Sequence, residues 1–447
     1  MENQINLTYK QLEIDSLGEQ FYDAPINITS TYDENWIKYE SDNRRILFEN
    51  VINVCDNVGL SSQIPLSFEL AGQRKKLYFN PKETTFAIVT CGGLCPGINN
   101  VVRSAVMRAY YGYNAKKFYG IPFGYQGLVP EFGYSPKELT PKSVRYIHEQ
   151  GGSVLGSSRG NQDVRKIVDT LIKLEVNSLI TIGGDGTFRG ANEIYEEIKR
   201  RGLKISVVGI PKTIDNDLLY IDKTFGFETA FSEAAEAITR AHVEATGAPN
   251  GVGLVKLMGR HSGFIAAYAA LALREVNMVL IPEQKFKMES VMKFAEKRLA
   301  NRGHMVIVVA EGAGQEYFKE ERDENGKPKK DASGNAKLED IGHLLEQEIK
   351  KYFKQKNIEL NLKYIDPSYM IRSAPAYPTD AVFAGQLGSY AIDAAMAGKT
   401  GLTIGYWKGS FTHLPLKLAT SGRNVISLES ELWQSVLKAT GQPFDLH

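Results

Sequence analysis

An α/β fold built on parallel sheets is what this sequence predicts, and two patterns predict it. From Thr84 onward, short β-branched runs alternate with amphipathic segments, as expected when parallel strands are buried on both faces by crossover helices. Several of these runs pass directly into glycine-rich or charged turns, the punctuation of a strand that feeds a helix. The expected strands are 84–90, 178–182, 204–210, 252–257, 278–281 and 305–310. Helices are expected from about Asn99, over 189–200 and over 262–273. Open parallel sheets hold ligands outside the carboxyl ends of their strands, so the turns after these runs are where function belongs.

The flanks read differently. Residues 1–82 are polar and weakly periodic, an N-terminal extension with a helix expected near 35–58, and residues 411–447 are expected to form a C-terminal helical segment. Residues 314–337 include Glu320-Glu321-Arg322-Asp323-Glu324, too charged to bury, and are expected as a surface loop. The length of 447 residues suggests two or three domains, and 43% hydrophobic residues are ordinary for a chain with a core. With 53 Lys plus Arg against 52 Asp plus Glu, no global field favours nucleic acid or an anionic membrane, so an anion site must be local. The first residues lack the plan of a signal peptide and no stretch approaches the ~20 apolar residues of a membrane span, so a cytoplasmic location is expected. The three cysteines, Cys55, Cys91 and Cys95, have poor spacing for zinc and read as buried or loop thiols.

Four turns carry groups suited to chemistry. Cys91-Gly92-Gly93-Leu94-Cys95-Pro96-Gly97 lies between a strand and a helix N-terminus, where glycine lets backbone approach a phosphate and unpaired N–H groups attract it; a structural tight turn explains it equally well. Gly183-Gly184-Asp185-Gly186-Thr187 puts a carboxylate into such a turn, which repels phosphate unless a cation intervenes, so Asp185 is a candidate Mg²⁺ partner or else a turn aspartate. Pro211-Lys212-Thr213-Ile214-Asp215-Asn216-Asp217 joins two carboxylates to a hydroxyl and an ammonium in one short loop, the means to take a proton from an alcohol and face a phosphate. Met258-Gly259-Arg260 delivers to a helix start a guanidinium whose planar fork matches phosphate oxygens. Glu311 and Arg372 each follow an apolar run and could equally be structural ion-pair members.

Taken in order, CGGLCPGINN, LGSSRG, GGDGT, PKTIDND and MGRHSG resemble the phosphofructokinase superfamily over roughly residues 83–410. The resemblance implies two facing Rossmann-like lobes: an ATP-binding lobe of 83–227 re-entered at about 373–410, and a fructose 6-phosphate-binding lobe of 228–372. It implies that Asp215 is the general base, that Asp217 holds the geometry, and that Thr213, Arg260 and Lys212 act on the phosphoryl group. Gly93, Arg159, Gly184, Gly186 and Thr187 would line the ATP site, with Asp185 holding Mg²⁺. Met258, Gly259, Arg260, Glu311 and Arg372 would bind the sugar phosphate beside Thr213 and Asp215. Tyr369 and Lys363 stand where bacterial members carry a histidine and a second arginine near the sugar-phosphate site, which implies that they too bind substrate, and bacterial-type effector regulation is not implied.

The phosphoryl donor turns on two positions. Pyrophosphate users resemble GGDD with PKTIDND, and common bacterial ATP users resemble GGDG with PGTIDND; this chain combines Gly186 with Lys212. An aspartate at 186 would add bulk and negative charge where a nucleotide's inner phosphate must pass, and glycine removes both. The combination is similar to the plant and trypanosomatid ATP-dependent subgroup, which implies ATP, with pyrophosphate the alternative. A kinase of NAD or of a lipid would explain GGDGT alone and leave PKTIDND and MGRHSG unexplained. The resemblance also implies a homo-oligomer, dimer or tetramer, with Lys363 reaching a neighbour's site.

Overall fold

The computed structural model describes residues 7–25, 39–50, 65–319 and 337–446. The charged run at 320–330, expected as a surface loop, and half of 35–58 lie outside the described residues. Along the chain run β1 (Arg45–Leu47), β2 (Ser67–Leu70), β3 (Thr85–Thr90), α1 (Ile98–Met107), β4 (Lys117–Ile121), β5 (Lys137–Glu138), α2 (Val164–Lys173), β6 (Ser178–Gly183), α3 (Asp185–Arg200) and β7 (Ser206–Pro211). There follow α4 (Phe227–Thr246), β8 (Gly251–Leu257), α5 (Phe264–Leu273), β9 (Met278–Leu280), α6 (Met288–Arg302), β10 (His304–Ala310), α7 (Ile341–Gln355), β11 (Asn361–Ile365) and α8 (Ser368–Ser373). The chain closes with α9 (Pro378–Met396), β12 (Leu402–Trp407), β13 (Ser410–Pro415) and α10 (Glu431–Thr440).

These elements form two compact units. The first comprises Met1–Lys212, Leu218–Phe225 and Pro378–Arg423; the second comprises Thr213–Asp217, Gly226–Tyr377 and Asn424–His447. In the first unit a nine-stranded sheet runs β1-β2-β13-β12-β7-β6-β3-β4-β5. Strands β12, β7, β6, β3 and β4 are mutually parallel, and β13, β2, β1 and β5 add antiparallel edges. Strands β3, β6 and β7 are buried throughout, which is why they read as unbroken apolar runs. Ile180, Ile182 and Phe188 are fully buried, each worth about 1.5–3 kcal/mol of burial. From β3 the chain crosses to β4 on one side and then to β6 on the other, so the carboxyl ends of β3 and β6 flank a switch in strand order, where α/β sheets open a ligand crevice.

The second unit holds a four-stranded parallel sheet, β9-β10-β8-β11, over a core that includes Val252, Leu254, Ile307, Val309, Ile341 and Phe353.

Three features depart from the sequence expectations. The helix expected near 35–58 is, in its described part, a turn and the strand β1, because 45–47 pairs with 67–69 of β2. Residues 65–82 are not a mere appendage, since β2 pairs with β13 inside the main sheet. Residues 411–447 do not form a segment of their own: β13 completes the first sheet and α10 belongs to the second unit.

Candidate active site

In the first unit the groups expected to meet phosphate gather at the carboxyl ends of β3, β6 and β7. Gly92 takes φ +84° and Gly97, which precedes α1, takes φ +98°, both in the left-handed region that glycine enters at little cost. The loop is pinned by backbone bonds: Gly92 N–H donates to Ser158 O at 3.0 Å, and Ser157 Oγ donates to Gly92 O. That pairing brings the exposed Arg159 beside the loop. Lys212, 7% exposed, donates from Nζ to Gly93 O at 2.7 Å, and a Cβ on Gly92 would lie only 3.1 Å from that ammonium. A buried cation is thus anchored on the glycine loop itself.

Asp185 opens α3, its Oδ2 bracketed by Arg189 at 2.9 Å and Arg423 at 3.4 Å, while its Oδ1 is buried without a hydrogen-bond partner. Nothing lies within 4 Å of a Cβ built on Gly186, so that face of the turn is open, and a Cβ on Gly184 would meet Lys212 O at 3.3 Å. Thr187, counted by the resemblance among the ATP-site residues, has its side chain turned away from solvent. It is buried beneath the turn, so close to Gly183 that a Cβ there would come within 2.1 Å of Thr187 Oγ1. Its contribution is to force glycine at 183 and fix the turn's shape.

In the second unit the loop Thr213–Asp217 is knotted internally. Thr213 Oγ1 donates to Asp217 Oδ1 at 3.0 Å and accepts from Asp215 N–H at 3.1 Å. Asn216 takes φ +54°, a conformation that asparagine tolerates better than most residues, which explains the Asp-Asn-Asp order. Asp217 is buried and its carbonyl accepts from Asn424 N–H at 3.0 Å. Ser262 Oγ donates to Asp215 O at 3.0 Å, joining the loop to the start of α5.

Asp215 is the distinctive group. Its Oδ1 is buried without a hydrogen-bond partner, although the residue as a whole is half-buried. Burial, followed by repulsion from Asp217 and Glu311, pushes its carboxyl up to about 7, against the opposing pull of Arg372 and the Arg260 N–H. Four residues scattered over the sequence therefore converge on one carboxylate.

The strand ends explain the convergence. Gly259, at φ +127°, follows β8, and a Cβ there would sit 2.5 Å from Ser262 O. At the end of β10, Glu311 N–H donates to Leu257 O at 2.8 Å, and Gly312 N–H to Gly259 O at 3.1 Å. A Cβ on Gly312 would lie 2.0 Å from Arg260 O, so this glycine, which the motifs did not single out, is what lets Glu311 come alongside Arg260. Its only signal in the sequence is the Glu-Gly step directly after an apolar run. Arg372, on α8, donates from Nε to Met258 Sδ at 2.9 Å. Glu283 also escaped notice, and its Oε1 accepts from Gly263 N–H at 3.0 Å and Ile426 N–H at 2.8 Å. The structure does not draw Lys363 and Tyr369 into this cluster: Lys363 is exposed in mid-strand opposite Gly253, and Tyr369 is 87% exposed.

An anchored cationic cradle and a high-pKa carboxylate facing the Arg372 charge, carried on one α/β chain, suit phosphoryl transfer to a small molecule. The chain belongs to the phosphofructokinase family, which it matches over residues 85–395. The ATP-dependent 6-phosphofructokinase of Borreliella burgdorferi is 45% identical to it across 99% of this chain and 98% of that one. That of Amycolatopsis methanolica is 43% identical across 98% and 96%, and that of Trypanosoma brucei brucei 48% identical across 84% and 77%. The crystal structure of a pyrophosphate-dependent phosphofructokinase from Marinobacter aquaeolei shares the fold with a TM-score of 0.65 at 20% identity, over 80% of this chain and 91% of that one. No helix among the described residues is long and apolar enough to cross a membrane.

Proposed function

We propose that this chain transfers the terminal phosphoryl group of ATP to the 1-hydroxyl of fructose 6-phosphate, giving fructose 1,6-bisphosphate and ADP. The observation that carries the reading is Asp215, a carboxylate whose affinity for a proton is raised to about 7 by burial and by Asp217 and Glu311. A general base works best when its pKa lies near the working pH. Asp215 takes the proton of the 1-hydroxyl as its oxygen attacks phosphorus, the bond to the bridging oxygen of ADP breaks, and no covalent enzyme intermediate forms. Asp217 fixes Thr213 through their 3.0 Å bond, and Thr213 with Arg260 meets the charge on the phosphoryl group in transit. Arg372 takes the sugar's 6-phosphate and Glu311 its hydroxyls, with Met258 and Gly259 shaping the floor.

Gly93, Gly184, Gly186, Arg159 and Lys212 are the residues offered to ATP, with Thr187 supporting the turn from below. The open face at Gly186 and the names of the close relatives favour ATP over pyrophosphate. Asp185 fits a Mg²⁺ that arrives with the nucleotide: a buried oxygen lacks a partner, and Mg²⁺ is commonly held by one or two carboxylates plus substrate phosphates and water. No group of three or more potential ligands able to hold a resident metal occurs among the described residues. When bound, Mg²⁺ neutralises charge on the phosphate oxygens. Exposure of Tyr369 and Lys363 suits a homo-oligomer, dimer or tetramer, in which these side chains face a neighbour, and the reaction belongs in the cytoplasm.

Asp215→Asn tests the reading. It lowers kcat by about 10²- to 10⁴-fold and abolishes the acid limb of kcat/KM that the wild type shows as pH falls through about 7. A folded variant with near-normal kcat contradicts the assignment.

A further inference from the structure

Lys256 lies near the end of β8, two residues before Met258, which directly follows the strand. Its ammonium is 2.9 Å from Asp340 Oδ2 and 2.9 Å from Asp366 Oδ2, and its side chain is 13% exposed. Each carboxylate also organises an element of its own. Asp340 caps α7, accepting from His343 N–H at 3.1 Å, and accepts from Tyr364 Oη at 3.0 Å. Asp366 lies two residues before α8 begins and ties down its first residue, accepting from Ser368 N–H at 3.0 Å and from the Ser368 hydroxyl. Arg372 is carried on that short helix, against Met258, which directly follows the strand that bears Lys256.

Without the ammonium, two carboxylates would be left facing each other at the mouth of the turn that leads into α8. Burial works against the charge on Lys256, but Asp340 and Asp366 outweigh it and hold the pKa above its ordinary value, so the clamp stays charged at working pH.

We propose that Lys256 is a positioning residue for the sugar phosphate: its shared ion pair sets where α8 holds Arg372, and so sets the affinity for fructose 6-phosphate. The proposal rests on the reading of Arg372 as the 6-phosphate ligand. The effect falls on one substrate only, because the clamp ties elements that carry acceptor residues and none of those offered to ATP.

The test is steady-state kinetics on the full-length chain, with each substrate varied in turn. Lys256→Met raises KM for fructose 6-phosphate about tenfold or more while kcat and KM for ATP move by less than about twofold, since misplacing a binding group by even 1 Å is felt strongly. Lys256→Arg, which can serve both carboxylates, restores most of the loss. Asp366→Asn keeps an acceptor for Ser368 N–H but removes half of the ion pair, and shifts the same KM in the same direction, so the test stands even if Lys256→Met fails to fold. An unchanged KM for fructose 6-phosphate in the folded variants, or a parallel loss for both substrates, overturns the proposal. Arg372→Ala separates the two readings: if it leaves that KM unchanged, the assignment of Arg372 falls, and with it the role given to Lys256.

Discussion

Asp215 is costly to the fold that holds it. Its carboxyl is raised from the ordinary 3.8 to about 7, so the folded state binds a proton over a pH range in which the unfolded chain has released it. The associated stability is fully present below about pH 4 and is lost as pH rises through about 7, an effect on the order of a few kcal/mol. Asp215→Asn removes the titration, so it unfolds at a higher temperature than the wild type at pH 8, and the difference shrinks towards pH 5. Thermal unfolding at the two pH values checks this, and a variant less stable at pH 8 than the wild type would contradict it. The loop's two carboxylates and its hydroxyl were legible in the sequence as one cluster. The neighbours that tune it were not, because Glu311 and Arg372 reach Asp215 through the ends of separate elements. Thr187 was legible only as part of the GGDGT turn, and its packing against Gly183 was not.

Among the elements, the strand β2, paired on one side with β1 and on the other with β13, is held by a buried charge cluster. Glu69, with 6% of its side chain exposed, accepts from Arg74 at 2.8 Å and from His413 Nδ1 at 2.9 Å, and pairs with Lys399 at 3.2 Å. Burial opposes its ionisation, but the His413 hydrogen bond and the neighbouring positive charges win and hold Glu69 at about 2. His413 itself is pushed down by burial despite Glu69, so it donates as a neutral ring, and Arg74 and Lys399 supply the charge. Removing one partner of a buried ion pair costs about 3–5 kcal/mol. Glu69→Ala therefore lowers the unfolding midpoint and frees β1 and β2 to limited proteolysis; an unchanged midpoint and digestion pattern would contradict this. The strands 85–90, 178–183 and 304–310 were legible because burial on both faces writes a continuous apolar run. The pairing of β1 with β2 and of β2 with β13 was not, since partners distant in sequence decide it and local propensity does not.

At the scale of the whole molecule, the chain builds each unit from three separate stretches and changes unit inside its most informative motif, after Lys212. Periodicity has no mark for such a crossing, which is why the sequence-based boundaries kept 213–217 with the first unit. At that point the lysine anchored on Gly93 is followed directly by the loop that carries Asp215. Under the proposed function Gly186 favours ATP as the donor, and Lys212, able to reach a phosphate with either donor, discriminates less. The most direct test is an assay of fructose 6-phosphate phosphorylation with ATP and pyrophosphate side by side, each with Mg²⁺. Turnover with ATP and none above background with pyrophosphate is the predicted result; turnover with pyrophosphate and none with ATP would contradict it.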